Sequence, residues 1–125
     1  MSHIIYKDNV DKLNSISKYE TNWNGYGAPS VPDSIIDFCK RVINNLGTQP
    51  FISPTGRESI QLEYESNVEY LEFEVFKNDI SVYKIHSDGS RESFVIEYDV
   101  NRIVDEVQKY LYNSNKPYDW DGNGD

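Results

Sequence analysis

The sequence predicts an α+β fold in two layers, with helices packed on one face of an antiparallel sheet. Two segments with helical periodicity precede a region in which apolar and polar residues alternate, and a third helical segment follows that region. The chain has 125 residues, of which 38% are hydrophobic, so it is large enough to bury one core. We expect one domain over residues 1–113 and an acidic flexible tail over 114–125.

Apolar residues that recur every three or four positions predict three helices. Each of them has one apolar side, as expected for a helix that covers a sheet. Their predicted ranges are 8–20, 33–46 and 100–112. Asp8 or Asn9 is the predicted N-cap of the first helix, and Asp99 that of the third.

Strict alternation between residues 60 and 98 predicts four strands in an antiparallel meander. In the first hairpin, a two-residue turn at Ser66–Asn67 places Leu62 opposite Leu71. In the last hairpin, Asp88–Gly89 is a strong turn signal, and it predicts that Tyr83 pairs with Phe94.

The sheet face turned away from the helices is predicted to have two different parts. The first two strands present carboxylates on it, namely Glu63, Glu65, Glu72 and Glu74. An apolar patch is predicted beside them and favours a homo-oligomer interface, made of Phe76, Ile80, Val82 and Val95.

Charge and cysteine content restrict the function classes. The net charge is -9 and the sequence pI is about 4.6, which disfavours nucleic acids and anionic membranes as partners. Cys39 is the single cysteine and falls on the apolar side of the second helix, which predicts a buried structural thiol. We expect a cytoplasmic protein with no cofactor and no metal site.

A loop rich in glycine and proline separates the first two helices, over residues 21–32. Trp23 and Tyr26 offer aromatic faces that stack on a base or sugar, and Asn24 offers a donor and an acceptor. Arg57, in a turn before the sheet, is suited to a phosphate. These four residues are the predicted ligand site if the two loops converge. The alternatives are that the aromatic side chains close the end of the core and that Arg57 pairs with Glu58 or another carboxylate in a surface turn.

The loop motif, Trp23-Asn24-Gly25-Tyr26-Gly27-Ala28 followed by Pro29, resembles that of small, largely uncharacterised proteins of bacteria and their phages. The likeness extends to segments 53–56, 60–64 and 71–75. The resemblance implies a phage or mobile-element setting and no particular activity.

The sequence predicts a non-catalytic binding protein, because no complete set of nucleophile, base and oxyanion donors is evident. The first hypothesis is capture of a nucleotide-like small molecule, with an immune signal as one candidate. The alternative is an acidic inhibitor or antitoxin that binds a basic protein through the four glutamates, and a hydrolase is the third. Asp119–Gly124 matches half of a calcium loop but lacks its final glutamate.

Overall fold

The structure, a computed structural model, describes residues 4–115. The elements in chain order are α1 (Tyr6–Ile16), α2 (Asp33–Asn44), β1 (Phe51–Pro54), β2 (Ile60–Glu65), β3 (Tyr70–Val75), β4 (Ile80–Ile85), β5 (Arg91–Ile96) and α3 (Val100–Asn115). The α+β class is confirmed. The half-matched calcium loop at Asp119–Gly124 lies outside the described residues, and α3 extends into the predicted tail as far as Asn115.

The sheet has five antiparallel strands in the order β1-β2-β3-β4-β5, so the prediction of four strands was wrong. The missed strand, β1, pairs with β2 and lies at the edge of the sheet. It has only four residues and ends at Pro54. Proline is tolerated on an edge strand because that strand leaves some N–H positions unpaired. Because proline is also typical of turns, the sequence did not predict a strand here.

One face of the sheet, here called the inner face, carries the core. Apolar side chains from all three helices pack with it in a single buried cluster. The central members of that cluster include Leu13, Ile35, Val42, Leu62, Phe73 and Ile103. None of the helices within residues 4–115 combines the length and apolar character that crossing a membrane requires.

The first helix begins and ends earlier than expected, at Tyr6 and Ile16. Asn9, a predicted cap, is instead buried inside α1. Its Nδ2 donates to Gln49 Oε1 at 3.0 Å and to the Pro50 carbonyl at 2.9 Å. These bonds attach the helix to the segment that leads into β1. The predicted cap of α3 is supported, since Asp99 Oδ1 accepts a hydrogen bond from the Asn101 N–H.

The register of the β2–β3 hairpin differs from the predicted one by two residues. Leu62 lies opposite Phe73 rather than Leu71. The Ser66 N–H donates to the Glu69 carbonyl at 2.9 Å, so the turn residues are 67 and 68. A shift of two keeps the apolar residues on the inner face but changes every cross-strand pair.

The β4–β5 hairpin differs from its predicted register by one residue, so Phe94 pairs with Val82 and Tyr83 with Ser93. The loop has three residues, because the His86 N–H donates to the Ser90 carbonyl and the Gly89 N–H to the His86 carbonyl. Gly89 has φ +87°, the left-handed conformation that such three-residue loops require.

The predicted apolar patch for a homo-oligomer is not formed. Ile80 pairs with Val75 and Val82 with Phe73, and both side chains are buried in the core. Val95 lies on the other face of the sheet, where it is 65% exposed. The error was one of strand parity: β4 had been assigned to the wrong face.

A buried carboxylate, Glu106, joins α3 to the inner face of β4. Its Oε1 lies 2.6 Å from Lys84 Nζ, and its Oε2 lies 3.4 Å from Arg102 Nη1. Burial by itself raises the pKa of Glu106, but hydrogen bonding and charge from Lys84, with Lys109 and Arg102, outweigh burial and lower that pKa below its usual value.

The lowered pKa makes stability depend on pH. Since the folded state holds the ionised form, the contribution of Glu106 is present above its unfolded pKa of about 4.5 and is lost as the pH falls through the lower folded value. We expect Glu106→Gln to lower the free energy of unfolding by about 2 kcal/mol at neutral pH. Chemical denaturation of both proteins from about pH 7 to pH 3 should show the difference shrinking in acid. A constant difference over this range would contradict the assignment, and the exposed Glu97→Gln serves as the control.

Candidate functional site

The loop between α1 and α2 is held by its own asparagines. Asn22 Oδ1 accepts a hydrogen bond from the Gly27 N–H at 2.7 Å. Asn24 Oδ1 accepts from the N–H groups of Tyr26 and Ala28, at 2.8 and 3.2 Å. Asn22 itself has φ +71°, which asparagine tolerates better than most residues. The side-chain oxygen of Asn24, which was expected to bind a ligand, thus accepts hydrogen bonds from the loop itself.

Trp23 is a packing residue of this loop. It is half-buried, its Nε1–H donates to the Pro29 carbonyl at 2.9 Å, and its ring centroid lies 5.0 Å from that of Tyr19. Both the polar atom and one ring surface are therefore occupied. The side chain packs within the loop and on Tyr19, and it is not part of the buried core cluster.

Tyr26 behaves differently, because it is 93% exposed at the tip of the loop. Its backbone N–H is fixed by Asn24, whereas its ring and hydroxyl contact no other described residue. The loop therefore presents one aromatic side chain to solvent on a fixed backbone.

The two loops of the predicted ligand site lie next to each other. A Cβ placed on Gly56, in the β1–β2 turn, would lie 3.4 Å from Asn24 Nδ2 and 3.9 Å from Ala28 Cβ. These are ordinary contact distances, and the φ of +87° at Gly56 is what disfavours a side chain there.

Arg57 follows this glycine and is engaged by Glu74 on the outer face of the sheet, the face that carries no helix. Arg57 Nη2 lies 2.5 Å from Glu74 Oε1, and the Ser59 hydroxyl donates to Glu74 Oε2 at 2.6 Å. Glu74 is only 7% exposed. Arg57 is thus paired with a carboxylate, which agrees with the alternative to a phosphate site, and the expectation that Glu74 is an exposed member of the acidic face was wrong.

The remaining glutamates of the outer face stay accessible. Glu63 of β2 lies directly opposite Glu72 of β3, and both are half-buried, while Glu65 is exposed. Within residues 4–115 neither Glu63 nor Glu72 forms an ion pair. Directly opposed like charges destabilise a sheet, so this acidic pair, Glu63 and Glu72, has an electrostatic cost in the isolated protein.

Neutral donors beside the acidic pair offset part of that cost. The Tyr70 hydroxyl donates to Glu72 Oε1 at 2.7 Å, and Gln61 Nε2 donates to Glu63 Oε1 at 2.8 Å. Burial, together with the hydrogen bond to Glu72 and the nearby carboxylates, raises the pKa of Tyr70 above its usual value. The phenol therefore stays protonated and continues to donate at neutral pH.

A shallow groove of about 540 Å³ lies beside Arg57, at the end of the sheet where the β1–β2 and β3–β4 turns meet. Its lining brings Lys77 and the Phe76 ring next to Arg57, with Glu58 and Asp79 also present. Phe76, which the sequence assigned to an oligomer interface, lines this groove. The groove could not be predicted from the sequence, because the β1–β2 and β3–β4 turns that form it are separate segments of the chain.

Groups often used in catalysis lie apart from this region. Burial raises the pKa of the Cys39 thiol to about 12. His86 Nε2 lies 2.9 Å from Glu92 Oε1 at the exposed end of the last hairpin. In the part of the chain from residue 4 to residue 115, His, Cys, Asp and Glu side chains form no group of three suited to a metal ion.

Comparison with family models, with curated proteins and with solved structures gave no match to this chain. The resemblance of the loop motif to proteins of bacteria and phages therefore stays a prediction from the sequence.

The same substitution at two positions of the outer face is expected to have opposite effects. Glu63→Gln removes the repulsion from Glu72 while keeping an oxygen acceptor, and should stabilise the protein by about 0.5 kcal/mol. Glu74→Gln weakens charged hydrogen bonds to Arg57 and Ser59, and should destabilise it by about 1 kcal/mol.

Thermal unfolding of the two variants and the wild type measures this contrast. The expected shifts are about +2 °C for Glu63→Gln and about −4 °C for Glu74→Gln. Glu97→Gln changes the net charge by the same amount at an exposed position, and it therefore corrects for the general effect of removing one negative charge. Equal shifts at both positions would show that the carboxylates have equivalent environments, contrary to the structure.

Proposed function

We propose that this protein is a non-catalytic binding protein whose acidic sheet face engages a basic surface of another protein, as an inhibitor or antitoxin does. The observation that carries the proposal is the acidic pair: Glu63 and Glu72 face each other on adjacent strands with no ion-pair partner among the described residues. Charged groups of a partner would supply the missing cations.

The environment of the acidic pair supports a partner of this kind. Helices cover only the inner face, and exposed Glu65 extends the acidic surface along β2. The net charge of -9 adds a long-range attraction for a basic protein. Glu63 and Glu65 also line a groove of about 730 Å³ with Tyr6 and Phe51, which is wide enough to admit a basic side chain of a partner protein.

The position of the other predicted ligand residues also favours this function over small-molecule capture. Trp23 and Asn24 use their polar groups within their own loop, and Arg57 is bound to Glu74. A base and a phosphate would have to compete with these contacts. The motif resemblance supports a phage or mobile-element setting, and the expectation of a cytoplasmic protein forms part of this proposal.

Capture of a nucleotide-like molecule is the second candidate, and the groove beside Arg57 favours it. There Lys77 and Arg57 are suited to a phosphate and the Phe76 ring to a base. Glu58 and Asp79 line the same groove and repel an anion, which is why this candidate ranks second. A hydrolase, the third function considered, ranks below both.

The proposal is tested by native mass spectrometry of the tagged protein purified from its natural host, followed by denaturation to weigh any released molecule. We expect a basic protein to be retained at low salt and to dissociate as salt is added, because exposed charges are screened over about 10 Å at 0.1 M. The double variant Glu63→Gln/Glu72→Gln should lose that protein.

A matched control carries the same change in net charge on other surfaces: Asp37→Asn/Glu97→Gln, at two exposed positions. It should retain the partner. Loss of the partner in both double variants would indicate a general charge effect and contradict a specific acidic site. Release of a phosphorylated small molecule, with no protein retained, would replace this proposal with the second candidate.

A further inference from the structure

Tyr26 is the feature of the molecule that neither the core nor the acidic face accounts for. An aromatic ring that is 93% exposed forgoes the burial that usually stabilises such a side chain. Exposed tyrosines are common on loops, but the backbone of this loop is unusually well held by hydrogen bonds. Asn22 and Asn24 hold the backbone on both sides of the tyrosine through hydrogen bonds to three N–H groups.

The loop is also anchored to the rest of the domain. Ala28 is buried, Trp23 packs on Tyr19, and Gly56 of the adjacent turn approaches Asn24. The ring of Tyr26 therefore projects from a support whose conformation is set before any partner arrives. Preorganisation of this kind reduces the entropy lost on binding.

The composition of the loop indicates the type of surface. Residues 21–32 contain no Asp, Glu, Lys or Arg, although 26% of the whole chain is charged, so a segment of this length would carry about three. Protein interfaces are depleted in charged residues at their centre and enriched in tyrosine. Tyrosine, asparagine, glycine and serine together also dominate the binding loops of antibodies.

We propose that the loop over residues 21–32 is a preformed protein-binding element, and that Tyr26 inserts into an apolar cleft on a partner protein. The partner is a protein whose basic surface includes a cleft deep enough for a phenol ring, with an acceptor for its hydroxyl. This inference rests on the proposed function and adds the anchor residue to it. A projecting ring fits a concave partner, whereas a stacking platform for a nucleotide would be concave itself.

The test begins with a photoreactive benzoylphenylalanine at position 26 of the full chain, expressed in the natural host. The same replacement at Tyr112, an exposed tyrosine on α3, is the matched control. We expect irradiation to cross-link one protein at position 26 and not at position 112. A cross-link to small molecules only, or none at all, would overturn the inference.

The partner identified by the cross-link is then purified, and its affinity for variants of this protein measures how much each tyrosine contributes to binding. Tyr26→Ala should weaken the complex at least about 30-fold, as for a central interface residue. Tyr26→Phe should weaken it less, and Tyr112→Ala by less than about threefold. Since Tyr26 contacts no other described residue, its alanine variant should also unfold at the wild-type temperature, and a large drop would show a structural role instead.

The acidic-pair variant distinguishes failure of this inference from failure of the proposed function. If Glu63→Gln/Glu72→Gln loses the partner while Tyr26→Ala binds normally, the acidic face is the site and the loop is not its anchor. If Tyr26→Ala loses the partner while the acidic-pair variant binds normally, the loop is the anchor and the proposed role of the acidic face fails.

Discussion

The register of the β2–β3 hairpin is the constraint on which both the core and the candidate site depend. It places Leu62 beside Phe73 on the inner face, where helices from both ends of the chain cover them. The same register places Glu63 beside Glu72 on the outer face. A slip of two residues would put Glu63 opposite Tyr70 and relieve the repulsion, yet the observed pairing is retained because it completes the apolar contacts of the core. The observed pairing sets three apolar residues of β2 against three of β3, whereas the slip would leave Val75 without an apolar partner on β2. The loss of that buried contact outweighs one unfavourable charge pair of about 0.5 kcal/mol.

Glutamates that look equivalent in the sequence acquire different roles from this arrangement. Glu74 lies one row from the acidic pair, at the end of the sheet where the β1–β2 turn folds back, and there Arg57 and Ser59 satisfy it. Glu106 is deeply buried on the other side of the molecule and is held by Lys84. The acidic pair forms no ion pair within the described residues, and its two half-buried carboxylates lie directly opposite each other, so a partner's cation would add the most there.

Much of the fold follows from periodicity, because a helix or strand that packs on one side must repeat its apolar residues at a fixed interval. The edge strand β1 was missed since four residues ending in Pro54 carry no such interval. The hairpin registers were wrong because turn residues do not determine loop length by themselves. For the candidate site, the sequence indicated the loop and its exposed tyrosine but did not define how the other side chains of the loop are used. Whether Asn24 serves a ligand or its own backbone depends on loop geometry that only the folded chain defines. The position of Tyr26 at the tip is likewise a result of that geometry.

The structure thus combines a sheet face with unbalanced charge and a preformed loop, packed on the β1–β2 turn, that exposes an aromatic residue. We propose that a partner completes both surfaces. The claim that the acidic pair is kept at a cost is tested most directly by a double-mutant cycle in the free protein, with glutamine at position 63, at position 72 and at both, measured by chemical denaturation. The account predicts non-additivity, because either change alone relieves the repulsion. The gain in unfolding free energy of the double variant should be about 0.5 kcal/mol smaller than the sum of the two single gains. Strictly additive effects would contradict it, since they would show that the two carboxylates do not interact.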